Sequence, residues 1–406
     1  MSKKTGFEKL ARSSSLYPQE SLAKIEKRKG SLQIGLPLEI SMQESRICLT
    51  PDAVNILSQN GHEIIIQSKA GVESKFTDRE YSDAGAKIVY STEEVYEANI
   101  ILKIEPPTHD EIGLMKTNQV LISALQIGNQ NPEYISLLNK KKITAIAYEF
   151  IEDKVGGFPI IRAMSEIAGS TVMLIAAEYL SNSFSGKGII IGGITGVPPT
   201  KVVILGAGTV AEYAARAALG MGADISIFDN HLYKLRRIKH AIGQQVYTST
   251  IDTFTLSNTL KDADVLIGAL RHEKGRVKHV ITDEMVANMR PDSLIIDLTI
   301  DQGGCIETSD ITTLNNPIFR RHGVIHYCVP NIASRVAHTA STALSNIFTP
   351  TILRAGDEGG LEEMIFAHSW FMKGVYCYNG HLTNPNIGRK FGIKYKDMEL
   401  FIAGRY

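Results

Sequence analysis

The stretch Val202–Asp229, VVILGAGTVAEYAARAALGMGADISIFD, limits the possible folds of this chain more than any other segment. An aliphatic, β-branched run leads into Gly206-Ala207-Gly208. An alanine-rich amphipathic run follows, and a second aliphatic run ends on Asp229. A glycine-rich match alone is a weak signal. In a strand–turn–helix–strand context it is the dinucleotide-binding unit of a doubly wound parallel sheet. Gly206 permits the tight turn, and Gly208 lets the backbone approach a pyrophosphate at a helix N-terminus. Ala211, at the third position, is small enough for close helix–strand packing. Asp229 follows Gly206 by 23 positions, where its carboxylate accepts hydrogen bonds from ribose hydroxyls and repels a 2′-phosphate. The cofactor expected is therefore NAD(H) rather than NADP(H).

The remaining sequence repeats the alternation of strand and helix. Strands are predicted at 32–40, 62–67, 100–105, 119–126 and 144–151, with helices at 51–61, 91–99 and 131–142 between them. A helix over 165–184 leads to a second series, with strands at 200–208, 224–229, 264–270, 293–300 and 324–330. Near-continuous Ile/Leu/Val strands alternating with helices predict parallel sheets covered on both faces. The fold class expected is α/β, with two Rossmann-like domains flanking a cleft. Only the second carries a phosphate-binding glycine signature, so the first reads as its partner across the cleft. The helical run after Ala333 and the polar tail to Tyr406 are expected to cross back to the first domain. That gives 32–160 with 338–406 as the substrate domain, 161–337 as the cofactor domain, and 1–31 as a basic arm.

At 406 residues the chain is too long for one comfortable core. Lys plus Arg and Asp plus Glu both total 43, so no charge excess favours nucleic acid as a partner. Four cysteines without CxxC spacing fit a reducing cytoplasm, and eleven histidines without ligand spacing give no metal site. No uninterrupted apolar stretch of about 18 residues predicts a membrane span. The basic first 31 residues do not resemble a signal peptide.

RICLTP (46–51), MSEIAG (164–169), GVPPTKVVILGAGT (196–209), IDQGGCIE (300–307) and YCVPN (327–331) occur in the order and spacing of one family. From about Leu32 to Ile393 the chain resembles the alanine dehydrogenase/transhydrogenase α-subunit family, with the soluble alanine dehydrogenase branch nearer. The resemblance implies an NAD-dependent oxidoreductase of a small amino or oxo acid that assembles as a homo-oligomer, with a hexamer favoured over a dimer. It places Arg46 on the substrate carboxylate, where a planar guanidinium suits bidentate pairing. It places Asp301 beside the nicotinamide as a proton-handling acid. Ser165, Thr209, Val210, Lys234, Leu270, Leu298, Asn331 and Ile332 match cofactor-contact positions.

Two positions depart from the family pattern. Glu105 stands where relatives carry a substrate-binding lysine, and Gln126 stands where they carry a catalytic histidine. A glutamine neither gains nor loses a proton near neutral pH. General acid–base help is typically worth about 10²–10⁴-fold in rate. An altered substrate or weak alanine turnover is therefore expected. The alternatives are a catalytically silent NAD(H)-binding paralogue and a soluble transhydrogenase-like hydride carrier. Lys103, two residues from Glu105 on the same strand and so on the same face, is a candidate to pair with Glu105 or to reach the substrate. Arg271-His272, at the end of a strand, offers another ionisable group.

Overall fold

The computed structural model describes residues 30–41, 43–126, 130–270 and 279–404. The 1–29 part of the basic arm and the Arg271-His272 pair lie outside them. The first half contributes β1 (Gln33–Leu36), β2 (Glu63–Gln67), β3 (Lys87–Val89), β4 (Ile100–Leu102), β5 (Val120–Ser123) and β6 (Thr144–Ala147). The second contributes β7 (Lys201–Leu205), β8 (Asp224–Phe228), β9 (Tyr247–Ser249), β10 (Val265–Gly268), β11 (Leu294–Asp297), β12 (Ile318–Arg321) and β13 (Val324–Tyr327). A C-terminal hairpin adds β14 (Val375–Tyr378) and β15 (His381–Leu382).

Two sheets result. One runs β15-β14-β6-β5-β4-β1-β2-β3 and the other β12-β13-β11-β10-β7-β8-β9. Strands β1–β6 are mutually parallel, as are β7–β11 with β13, whereas β12, β14 and β15 pair antiparallel at the edges. Both parallel sets share one doubly wound order, in which the first strand lies between the second and the fourth. The strand order reverses there, so ligands are expected outside the carboxyl ends of β1/β4 and of β7/β10.

The α/β reading with two sheets is correct, and several boundaries differ from the sequence expectation. The first strand stops at Leu36 rather than Ile40, because Pro37 has no N–H for the ladder. The connecting helix spans Pro159–Tyr179 rather than 165–184, with Pro159 preset for its first turn. The C-terminal segment packs on the first half, as the helical run after Ala333 led one to expect. Helix Ala337–Asp357 buries Leu344, Phe348 and Ile352 in the core of Ile34 and Ile66, and β14 extends the first sheet from Ala145–Ile146.

The connecting helix is long and apolar enough to cross a membrane by length and composition. Its Val172, Met173, Ile175 and Ala176 are instead packed with Ile204, Ala211 and Ala214 in the second core. Gly169 makes that approach possible, since a Cβ there would lie 2.4 Å from the Val210 carbonyl oxygen.

Candidate active site

The glycine turn follows β7 directly. Gly206 has φ +98°, and a Cβ on it would meet the Ala269 carbonyl oxygen at 2.5 Å, so the position requires glycine. Gly208 differs: a Cβ there would meet no atom within 4 Å and would project into open space. It precedes helix Thr209–Gly220, whose first residues Thr209 and Val210 line a cleft and whose first amides have no partner within the helix. Asp229, 1% exposed, accepts hydrogen bonds from Ala207 N at 2.8 Å and from His231 N at 2.7 Å. It thereby joins the end of β8 to the turn. Ser165, Gly208, Thr209, Val210, Asp229, Lys234 and Leu270 line one cleft of about 370 Å³. The backbone donors and the space left by Gly208 fit the pyrophosphate and ribose of a dinucleotide.

That cleft leads onward. Ser165 and Val210 also border a cavity of about 270 Å³, together with Leu298, Asp301, Asn331, Ile332 and Arg46. Arg46, Asp301 and Asn331 in turn border a third space of about 900 Å³, with Glu105, Gln126 and Glu149. One continuous trough thus runs from Asp229 in the second half to Arg46 in the first.

Arg46 lies in the loop between β1 and helix Pro51–Gln59. Its Nε and Nη2 donate to Glu44 at 2.7 and 2.6 Å, and Nη1 contacts Met164 Sδ at 3.2 Å. Burial disfavours its charge, but Glu44 overrides this and holds the guanidinium protonated. The loop hangs on serines contributed by the C-terminal third of the chain. Ser45 N donates to Ser334 Oγ at 2.8 Å, Ile47 N to Ser341 Oγ at 2.9 Å, and Thr50 N to Ser345 Oγ at 3.1 Å. Asn331 Nδ2 reaches Glu44 at 2.8 Å, so the Arg46–Glu44 unit also ties the two halves together.

Asp301 is carried by a 3₁₀ turn, Ile300–Gln302, just beyond β11. The turn aspartate that shapes this loop is Asp297. Its carboxylate accepts from Thr299 N at 2.9 Å, Thr299 Oγ1 at 2.8 Å and Cys305 N at 3.2 Å. Gly303 and Gly304 both have positive φ, and a Cβ on Gly304 would lie 2.8 Å from Asp297 Oδ2. Asp301 is left exposed in the trough.

Lys103 behaves differently from the sequence expectation. It is 2% exposed and does not line the trough. Its Nζ donates to Glu111 at 2.9 Å and lies 3.6 Å from Glu39, rather than pairing with Glu105. β4 ends at Leu102, so the alternation that would have put Lys103 beside Glu105 has already lapsed. Burial raises the Glu39 carboxyl to about 7, against the pull of Lys103. Glu105 does face the trough, and its pKa is raised by burial and by Glu44, against Arg46 and Lys103.

Gln126 sits at the end of β5 with φ +42°, exposed to the trough. Its backbone N–H donates to Glu149 Oε1 at 3.1 Å. Sequence reasoning missed Glu149, Glu44 and Asp297. The EFI and ESR contexts of the first two carry no motif that marks them. Among the described residues no cluster of three potential metal-binding side chains occurs.

Comparison with known proteins places this trough in a lineage. The family description "Alanine dehydrogenase/PNT, N-terminal domain" matches residues 35–168, and "Alanine dehydrogenase/PNT, C-terminal domain" matches residues 172–385. The chain is 37% identical to an alanine dehydrogenase of Methanococcus maripaludis, over 90% of this chain and 98% of the relative. It is 35% identical to one of Mycolicibacterium smegmatis, over 91% and 100%. A solved L-alanine dehydrogenase superposes with a TM-score of 0.84 at 33% identity, covering 88% of this chain and 99% of that one. A transhydrogenase from Sinorhizobium meliloti shares the fold, with a TM-score of 0.73 at 22% identity. Matched in both halves and across nearly the whole length of its relatives, the chain belongs to the alanine dehydrogenase/PNT family.

Proposed function

We propose that this protein is an NAD-dependent oxidoreductase of an amino or oxo acid, with residues 32–160 and 338–406 as the substrate half and 161–337 as the cofactor half. The continuous trough from Asp229 to Arg46 carries this reading. NAD supplies a hydride acceptor at nicotinamide C4. The turn at Gly206–Gly208 and the first amides of helix Thr209–Gly220 bind the pyrophosphate, and Asp229 selects a free ribose 2′-hydroxyl. Lys234, Leu270 and Ser165 border the adenosine-to-ribose stretch; Leu298, Asn331 and Ile332 border the nicotinamide end. Arg46, held in plane by Glu44, receives the substrate carboxylate, and Asp301 stands on the opposite wall to handle protons.

The names of the relatives make alanine the first substrate to test. Glu105 and Gln126 argue for weaker alanine turnover or a different amino acid. Glu105 sets a carboxylate near the Arg46 clamp, and Gln126 has no titratable proton. Glu105→Lys with Gln126→His should raise alanine oxidation, and more together than singly, because neighbouring active-site groups are not additive. A homo-oligomer belongs to this reading. Leu174 is 59% exposed on the apolar connecting helix, and Ile190, Ile194 and Val197 are exposed nearby in sequence. Light scattering should give a multiple of 44.6 kDa. The functional test is NADH formation from NAD with a panel of amino acids, and NADH consumption with oxo acids plus ammonium. Tight NAD(H) binding with no turnover of any of them would point instead to a silent NAD(H)-binding paralogue.

A further inference from the structure

We propose that the Glu149 carboxyl, anchored to the backbone beyond the end of β5 and facing the substrate space, is a second proton carrier of this site beside Asp301 and performs the acid–base work that Gln126 cannot. The proposal rests on the oxidoreductase reading above.

The position follows from the local fold. After β6 the chain makes a single 3₁₀ turn, Tyr148–Phe150, and Tyr148 fixes that turn by donating its hydroxyl to Ile104 O at 2.8 Å. Glu149 then points back toward the neighbouring strand end, where its Oε1 accepts from Gln126 N. The carboxyl is therefore held beside Gln126, the position to which the family resemblance assigns a histidine. It borders both the space around Arg46 and Glu105 and the space around Ser165 and Leu298. Its other oxygen, Oε2, is buried without a hydrogen-bond partner among the described residues. A buried carboxyl oxygen with no partner is costly to leave unsatisfied, which argues for a reacting group or a water as its complement.

The electrostatics agree. Burial raises the Glu149 carboxyl to about 7, against the amides of Glu149, Gln126 and Leu125, which favour the charged form. Tyr134, Tyr148 and Tyr376 pack nearby with hydroxyls that burial holds protonated. Arg46, Glu105 and Asp301 are the charged groups bordering the same space. A carboxyl that titrates near neutrality serves equally as base and acid.

The step balances as a proton shuttle. Hydride departure from the substrate leaves an iminium. Water adds to the iminium carbon, forming a C–O bond; one water O–H breaks, and its proton goes to the Glu149 carboxylate. The products are a neutral carbinolamine and a neutral Glu149. As the carbinolamine collapses, its C–N and hydroxyl O–H bonds break and the C=O forms; the Glu149 proton moves to the departing nitrogen, the hydroxyl proton is taken up by the released ammonia, and an oxo acid and ammonium result. Glu149 returns to its carboxylate form.

The test is the pH profile of amino-acid oxidation and of reductive amination in the full-length protein. The unmodified protein should lose kcat/KM for oxidation as pH falls below about 7, and for reductive amination as pH rises above it. Glu149→Gln should lower kcat by about 10²–10⁴-fold and abolish that limb, while NADH affinity stays within about twofold. Glu149→Asp should retain a limb, shifted in pH, with partial activity. Asp301→Asn should lower kcat without removing the limb. Should Glu149→Gln fail to fold, the Glu149→Asp profile and a carboxyl-band infrared titration of the unmodified protein decide the matter. An unshifted limb in Glu149→Asp, with no carboxyl titrating near pH 7, overturns the proposal. So does a Glu149→Gln protein with unchanged kcat and limb. No turnover by the unmodified protein with any amino or oxo acid overturns the oxidoreductase reading itself.

Discussion

The two halves wind their parallel strands in the same order, yet they equip the equivalent crevice in opposite ways. Beyond β7 the chain turns at once through Gly206–Gly208 into a helix, so what it presents there is backbone. Beyond β1 the next helix starts only at Pro51, and the charged side chains Glu39, Glu44 and Arg46 stand in between. A backbone site suits a large polyanionic cofactor, because amides need no counter-charge and no side-chain ordering. A side-chain site suits a small acid, because one guanidinium supplies both charge and geometry. The cost of the second arrangement is buried charge, which has to be paired.

That difference predicts the largest single effect. Arg46→Met leaves Glu44 buried with its principal counter-charge removed, and breaking a buried pair typically costs about 3–5 kcal/mol. Denaturant unfolding should show the loss. A variant as stable as the parent would mean that Asn331 and Ser334 satisfy Glu44 by themselves.

The halves should also answer pH with opposite signs. In the first, Glu39 and Glu149 have folded pKa values raised from 4.5 to about 7. Their stabilising contribution is complete below the unfolded value and is lost as pH rises through about 7. In the second, burial lowers His326 from 6.5 to about 4, so stability is lost as pH falls from 6.5 toward 4. Glu149→Gln should therefore gain up to about 3 kcal/mol at pH 8 and little at pH 4.5. His326→Gln should flatten only the acid side. Thermal scans across pH, with both variants, separate the two.

Much of the second half was legible because its signal is local. A strand, a turn, a helix and a carboxylate fall within Val202–Asp229, and each feature has a steric reason readable in order. The first half was legible only where a motif marks it. RICLTP led to Arg46, but Glu44, its ion-pair partner two residues earlier, is tied to Asn331 at a separation of 287 residues, which no local pattern records. Glu149 was missed for the same reason, since its role depends on the packing of β6 beside β5. Lys103 was misplaced because a three-residue strand ended before the alternation rule was applied. The short edge strands β3 and β9 are too brief to show a period at all.

The glycine turn offers a sharper internal contrast. Gly206→Ala forces a side chain into φ +98° and against Ala269 O, which should cost about 1–3 kcal/mol of stability. Gly208→Ala meets neither strain nor neighbour, so the fold should keep its stability while NAD(H) affinity falls. Calorimetric binding beside thermal unfolding reads both quantities. Equal losses of stability in the two variants would refute the division between shaping and contacting glycines. The smallest effect expected is at Asp229. The unmodified protein should favour NAD(H) over NADP(H), and Asp229→Ala should narrow that preference by about tenfold, the worth of one charge-assisted contact. Equal affinities in the unmodified protein would remove Asp229 from its role.

Transfer of a hydride between the halves is tested most directly by labelling the substrate. The protein is incubated with NAD and a panel of amino acids deuterated at the α-carbon, and the reduced cofactor is weighed by mass spectrometry. If Arg46 holds the acid while the Gly206–Gly208 turn holds the dinucleotide, one of these acids gives NADH heavier by one deuterium, and Arg46→Met gives none. Reduced cofactor without deuterium, or no reduced cofactor from any acid while NAD binds normally, would contradict hydride transfer across this trough.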